Sequence, residues 1–236
     1  MIQFYAPDIE NSLVLPESDS QHCVRVLRMK SGDIIEVIDG KGYRYECKIL
    51  EAHQKRTSVE IITKQHIPLS WNNEITIAVA PTKHLDRIEW LVEKLTEIGV
   101  NRIVPLLCRH SERKDVKTNR LEKIAISAMK QSLKTVLPTI EPMTSIKKII
   151  CEHNAKQKFI AYCDRSIPRL LFSKEYVANE NTIILIGPEG DFSQEEINLA
   201  LEYGYKPISL GDNRLRTETA ALVACNTCHI INQINQ

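Results

Sequence analysis

The chain has no uninterrupted apolar run near the ~20 residues that a membrane-spanning helix needs, and no basic-then-apolar pattern at its start. No membrane partner is therefore expected, and the expected compartment is the cytoplasm. A strong charge excess is missing too. The 31 Lys and Arg against 30 Asp and Glu leave a net charge of +1, so bulk charge announces no polyanionic partner. The cysteines do not make a disulfide framework: seven of them, at 23, 47, 108, 151, 163, 225 and 228, form an odd, scattered set that reads as reduced thiols. No internal repeat or low-complexity stretch is present, which excludes a repeat architecture.

What is present is ordinary in amount and uneven in placement. The 236 residues, 43% hydrophobic and 26% charged, suffice for one large domain or two small ones with a proper core. Residues 102–134 carry nine Lys and Arg against three Asp and Glu, residues 147–174 seven against two, and residues 175–236 three against nine. Such a distribution suits a basic surface that steers a polyanion beside a less basic ligand-binding end. It equally suits a solvated basic helix face balanced by an acidic neighbour.

Periodicity changes near residue 70. Before it, alternating runs at 2–5, 34–38, 43–50 and 57–63 predict half-buried strands, with Gly40-Lys41-Gly42 as a hairpin turn. Residues 22–29 predict one short helix capped by Asp19 or Ser20. This first domain, 1–70, is expected to be a small β-rich barrel, followed by a linker at 67–73. From 74 onward, apolar runs at 75–80, 103–107, 159–162, 182–186 and 207–210 predict buried strands. Helices are expected at 84–98, stopped by Gly99, at 120–136, at 194–203 behind a Ser193/Glu196 capping box, and at 218–231. The second domain, 74–236, is thus expected to be α/β with a mostly parallel sheet.

Two loops carry the strongest functional signal. ILIGPEGDF at 184–192 and ISLGDNRLRTETA at 208–220 each follow a buried-type strand and end where a helix should start. Both therefore lie at carboxyl ends of strands, where open α/β sheets place ligands. Gly187, Gly190 and Gly211 permit sharp turns and close approach to a bound molecule, although a plain tight turn would use the first two equally well.

These loops, with KHLDRIEWLVEKLTEIGV upstream and HCVRVLRMKSGD near the start, resemble the RsmE-type ribosomal RNA uridine methyltransferases of the SPOUT superfamily. The resemblance runs over essentially the whole chain. It implies an N-terminal PUA-like RNA-binding β-barrel and a C-terminal SPOUT α/β domain tied in a trefoil knot. It also implies S-adenosyl-L-methionine as cofactor and a homodimer that buries apolar surface of its C-terminal helices. No metal ligands are expected. The implied substrate is ring nitrogen three of a uridine in 16S ribosomal RNA, near the decoding region, as RNA or as the assembled small ribosomal subunit. Two other readings stand beside it: an RNA-binding protein of this fold without activity, and a SPOUT enzyme acting on another RNA position such as a ribose hydroxyl.

Carried over by motif, the cofactor loops are Gly187, Pro188, Glu189 and Gly190, then Leu210 and Gly211, then Leu215 through Ala220, with Arg216, Thr217 and Thr219 among them. Arg216 is the expected stabiliser of a developing anion on the uridine, or else an ion-pair partner of Glu218 or Glu189. Glu189 is a candidate base. Thr217, Glu218 and Thr219 are candidate caps of the last helix. His22, Arg25, Arg28 and Lys30, with Lys83, are expected to meet RNA phosphates, and Lys94 and Glu97 to pair with each other.

Three departures from the family pattern stand out: Gln3 where many members have Arg, Asp191 where many have a second glycine, and Ser127, Gln131 and Lys134 in the middle helix. One rival motif remains. Cys225-Asn226-Thr227-Cys228-His229 matches the haem-attachment string C-x-x-C-H, but it lies inside an apolar helical run where the thiols are expected simply to pack.

Overall fold

The computed structural model describes residues 2–163 and 168–235. They group into two compact units. One holds residues up to Ser70 together with Ile126–Leu137, and the other holds Trp71–Ala125 with the rest from Pro138 onward.

The first unit begins with β1 (Gln3–Tyr5), α1 (Ile9–Ser12) and α2 (Glu17–Gln21). It continues through β2 (Ile34–Ile38), β3 (Tyr43–Glu51) and β4 (Ser58–His66). The sheet order is β1-β2-β3-β4, with β1 parallel to β2 and the other pairs antiparallel. The β2–β3 turn is the expected glycine turn, with Gly40 and Gly42 both at positive φ. Val14 bridges Ser58, and Leu15 N–H donates to the Thr57 carbonyl. β1 thus lies along one edge of the sheet and residues 13–15 along the other. The enclosed core is Phe4, Ile9, Leu15, Cys23, Val37, Tyr45, Cys47 and Ile49.

The helix of the HCVRVLR motif differs from the expectation. It starts at Glu17, behind Pro16, and passes into a π-helical turn over His22–Val26. Asp19 and Ser20 are therefore interior residues rather than caps. Asp19 accepts from Tyr5 N–H and from Lys130, and the Ser20 hydroxyl links the Leu15 carbonyl to Thr57 N–H. The helix stops before Arg28, which stands at φ 57°. Arg25 and Arg28 consequently do not share one helical face.

The second unit contains β5 (Ile75–Val79), α3 (Leu85–Ile98) and β6 (Arg102–Leu107). Next comes α4 (Thr118–Gln131), whose residues from Ile126 belong to the first unit. Then follow β7 (Thr139–Ile140), β8 (Thr144–Ser145), α5 (Ile146–Glu152), β9 (Gln157–Ala161), β10 (Leu170–Leu171) and α6 (Phe172–Glu175). The chain ends with β11 (Thr182–Ile186), α7 (Gln194–Glu202), β12 (Lys206–Ser209) and α8 (Thr217–Ile234). All strand pairs are parallel, in the order β10-β12-β9-β11-β5-β6-β7, with β8 also on β6. β5 and β11 are buried at every position, as central strands covered on both faces must be. On one face Ala78, Val104, Ile160, Ile183 and Leu185 pack with Ile146 and Ile150 of α5 and Ile197 and Ala200 of α7. α8 also packs against this sheet, through β5 and β11, and α3 packs on α8.

Two further expectations change. The middle helix ends at Gln131 rather than near 136. Leu133 adopts φ 56°, Lys134 N–H returns to the Met129 carbonyl at 3.0 Å, and Leu133 N–H returns to that of Lys130 at 3.3 Å. This is a Schellman stop built on leucine instead of glycine. Beyond it, Val136 bridges Lys41, and Gly42 N–H donates to the Thr135 carbonyl, so 126–137 completes the first unit. The stretch 67–73 is likewise not all linker. Trp71 is buried edge-on to His229, and buried Asn73 bonds the Tyr176 hydroxyl and Asn232.

Candidate active site

Parallel pairing of β12, β9 and β11 brings three carboxyl ends side by side. The segments leaving them, at 161–163, 187–191 and 208–218, line a cavity of about 1260 Å³ together with Arg87, Pro168 and Arg169. Of the cofactor residues expected from sequence, Gly187, Pro188, Glu189, Leu210, Gly211, Leu215, Arg216, Thr217 and Ala220 line this cavity. Gly190 and Thr219 do not.

The glycines serve different ends. A Cβ on Gly187 would lie 3.2 Å from the Phe192 ring, so the loop's own aromatic anchor occupies that side. Gly211 has φ 123° and open space where a Cβ would stand; there the backbone conformation itself demands glycine.

Thr217 joins the two loops. Its buried hydroxyl donates to the Gly187 carbonyl at 3.0 Å, fixing the start of α8 against the end of β11. This corrects the capping expectation: the N-cap of α8 is Arg216, in extended conformation, and no side chain caps the helix. The Arg216 side chain is exposed, lines the cavity, and makes no hydrogen bond or ion pair with another described residue. Its two expected carboxylate partners are engaged elsewhere. Glu189 accepts from Lys83 N–H at 3.0 Å, and Glu218 lies 3.6 Å from the Arg87 guanidinium.

Arg87 and Glu218 are the site residues that sequence reasoning underused. The sequence offers Glu218 as a helix cap or as a partner for Arg216, and gives Arg87 no role within KHLDRIEW. Their helical spacing and composition hold no signal that they meet, because α3 and α8 come together only in the tertiary structure. The Glu218 side chain is 10% exposed, and its Oε2 has no hydrogen-bond partner among the described residues. An unpaired buried carboxylate oxygen is costly, so a cationic group beside it would be favourable. Tyr162, Cys163 and Arg169 also line the cavity, and nothing local in the sequence marks them.

The residues expected to meet RNA are placed as follows. His22, Arg25, Arg28 and Lys30 belong to the first unit. Arg25, Arg28 and Lys30 are exposed, Arg25 donates to Gln54, and the His22 ring meets Phe4 edge-on. Lys83 belongs to the second unit and pairs with Glu112 at 3.2 Å. Lys94 pairs with Glu97 at 2.8 Å as expected, and with Glu93 as well.

The C-x-x-C-H residues lie on α8. Cys225 and Cys228 are buried, and the Cys225 thiol and His229 Nε2 both approach the Gly99 carbonyl, at 3.3 and 2.6 Å. Cys225 and His229 thus pack where α8 meets the end of α3, while Cys228 lies beside Tyr176. No helix among the described residues is long and apolar enough to cross a membrane.

The fit to a sulfonium nucleoside is good. The cavity offers apolar walls from Pro188, Ile208, Leu210, Leu215 and Ala220 for a flat base, and carboxylates at Glu189, Asp212 and Glu218 for a cation.

Comparison with known proteins agrees with this geometry. Residues 70–229 match the RNA methyltransferase domain family, and residues 15–62 the RNA methyltransferase PUA domain. The chain is 30% identical over 218 residues to the ribosomal RNA small subunit methyltransferase E of Rickettsia conorii, covering 91% of this chain and 88% of that protein. A crystal structure described as a probable rRNA-methyltransferase from Porphyromonas gingivalis superposes with a TM-score of 0.95 at 44% identity, over 100% of both chains. The ribosomal RNA small subunit methyltransferase E of Neisseria gonorrhoeae, solved bound to S-adenosyl methionine, gives 0.86 at 25% identity over 98% of each chain. With its cavity at the ends of β12, β9 and β11 and both of its domains matched, this chain belongs to the RNA methyltransferase family, in the branch of the ribosomal RNA small subunit methyltransferase E proteins.

Proposed function

We propose that the protein binds S-adenosyl-L-methionine in the cavity at 187–191 and 208–220 and methylates ring nitrogen three of a uridine in 16S ribosomal RNA. The observation that carries this reading is the loop cavity itself, inside the stretch that matches the RNA methyltransferase domain. When bound, the cofactor supplies a methyl group on a sulfonium.

The residues of the chain do the rest. The imide nitrogen of uridine is a poor nucleophile until its proton leaves, so the site must favour the anion. Arg216, unpaired among the described residues and on the cavity rim, is suited to hold that charge. Glu189 has one oxygen on Lys83 N–H and a second with no hydrogen-bond partner among the described residues, which keeps it as the candidate base. Glu189, Asp212 and Glu218 supply the carboxylates of the cavity lining for the sulfonium and ammonium of the cofactor, with Glu218 sharing its charge with Arg87 and keeping Oε2 without a hydrogen-bond partner among the described residues. Gly187 and Thr217 hold the loops in register, so that nitrogen, methyl and sulfur are brought into line at little entropic cost.

The exposed Arg25, Arg28 and Lys30, with His22 and Lys83, are assigned to phosphates of a folded RNA, and the reacting base must be unpaired or flipped. The proposal includes a homodimer, the assembled small ribosomal subunit as the preferred substrate over a short oligonucleotide, a cytoplasmic setting, and a trefoil-knot path for the loops. The test is incubation with labelled cofactor and subunits from cells lacking the enzyme, followed by nucleoside mass spectrometry. N3-methyluridine in 16S ribosomal RNA is expected. Label on a ribose, on cytidine or only on transfer RNA would overturn the uridine assignment, and no transfer to any RNA would overturn the enzymatic reading.

A further inference from the structure

Asp191 occupies a conformation that a residue with a Cβ adopts reluctantly, φ 62°, at the corner of the loop that leaves β11. Its N–H closes the turn on the Pro188 carbonyl at 2.9 Å. Both oxygens of its carboxylate are committed. Oδ1 accepts from Phe192 N–H at 2.9 Å, and Oδ2 accepts from Cys163 N–H at 2.7 Å. Its own carbonyl lies 3.1 Å from His110 Nδ1. Cys163 stands two residues beyond the end of β9, and Ala161, Tyr162, Cys163 and Asp191 all line the cavity.

We infer that Asp191 is a positioning residue for the cofactor: it clamps the exit of β9 to the glycine loop and so sets the distance between two cavity walls. A glycine at 191, as in the GPEGG form of the motif, would relieve the backbone but remove both acceptors. The aspartate does the reverse, accepting an unfavourable φ in exchange for a fixed wall. The β9 ladder with β11 ends at Ala161, so past that residue this side-chain contact takes over the work of the sheet. This inference rests on the cofactor reading of the cavity.

The test uses the full chain with Asp191→Gly and Asp191→Asn. Affinities for S-adenosylmethionine and its demethylated product are measured by calorimetry, turnover at saturation by methyl transfer, and protection of the Cys163 amide by hydrogen exchange. Asp191→Gly should weaken both ligands about tenfold, because the wall must then be ordered on binding, and should leave saturated turnover within about twofold. Cys163 should lose protection in the same variant. Asp191→Asn should fall between, since its amide offers one acceptor where the carboxylate has two.

Unchanged affinity in Asp191→Gly, or lost turnover at unchanged affinity, overturns the inference. So does weakened binding that merely tracks a fall in unfolding temperature while Asp191→Asn behaves as wild type. A wild-type protein that binds neither ligand overturns the cofactor reading instead, and with it this role for Asp191.

Discussion

At the scale of single residues, Arg216 is the most exposed to experiment. Its backbone starts α8 while its side chain stays on the cavity rim, and the carboxylates that would have neutralised it are turned to Lys83 N–H and to Arg87. Arg216→Ala should therefore lower turnover by a hundredfold or more, about 2.7 kcal/mol of lost charge stabilisation, while cofactor affinity changes little. Calorimetry and single-turnover kinetics separate the two effects. A drop in cofactor affinity at normal turnover would make the residue a cofactor clamp. Arg216, Glu189 and the glycines were legible in the sequence because the two loops are contiguous motifs. Arg87 and Glu218 were not, since they lie 131 positions apart in numbering and meet only when α3 packs on α8.

At the scale of elements, two helices invite substitution. The Schellman stop of α4 uses Leu133 in the left-handed region, a residue 55% exposed. Leu133→Gly removes that backbone cost and forfeits little packing, so stability should rise by about 0.5–1 kcal/mol in urea denaturation. A loss would mean that Leu133 makes contacts its exposure does not suggest.

Along the buried face of α8, burial pushes the Cys225 thiol up to about 12, and in the first unit burial with Asp33 pushes Cys23 to about 11. Below pH 9 these thiols are protonated in both folded and unfolded chains, and their contribution is complete. Between about 9 and 12 the unfolded chain ionises first, so stability falls as pH rises through that window. Cys225→Ala with Cys228→Ala should flatten the fall, cost about 1–3 kcal/mol of packing at neutral pH, and leave methyl transfer intact. Urea midpoints across pH 7.5–10.5 check the slope, and lost activity in a folded double variant would point to a role beyond packing.

At the scale of the whole molecule, Trp90 on α3 and Ile230 and Ile234 on α8 are exposed apolar side chains, of the kind a subunit contact would cover. Multi-angle light scattering should give a dimer at assay concentration. A monomer that retains full activity would remove the two-fold assembly from the proposal. The division of the chain into units also bears on experiments. Starting a C-terminal fragment at Glu74 would delete Trp71 and Asn73 from the core of the second unit, and it would leave 126–137 without the hairpin it pairs with. Cofactor binding is better measured on the full chain.

The sequence by itself determined the elements whose signals are local. The buried runs of β5 and β11, the Ser193–Glu196 capping box, the Gly40–Gly42 turn and the two glycine loops depend on short-range periodicity, capping and turn chemistry, and each stands where those rules put it. The tertiary structure alone decided what depends on distant partners. It placed α2 ahead of the expected start, because Asp19 and Ser20 serve Lys130 and Thr57 rather than a helix end. It stopped α4 at Gln131, because the following residues pair with the hairpin at Lys41. It also set Cys163 against Asp191 and Arg87 against Glu218, since parallel strands bring together loop ends that no local pattern connects.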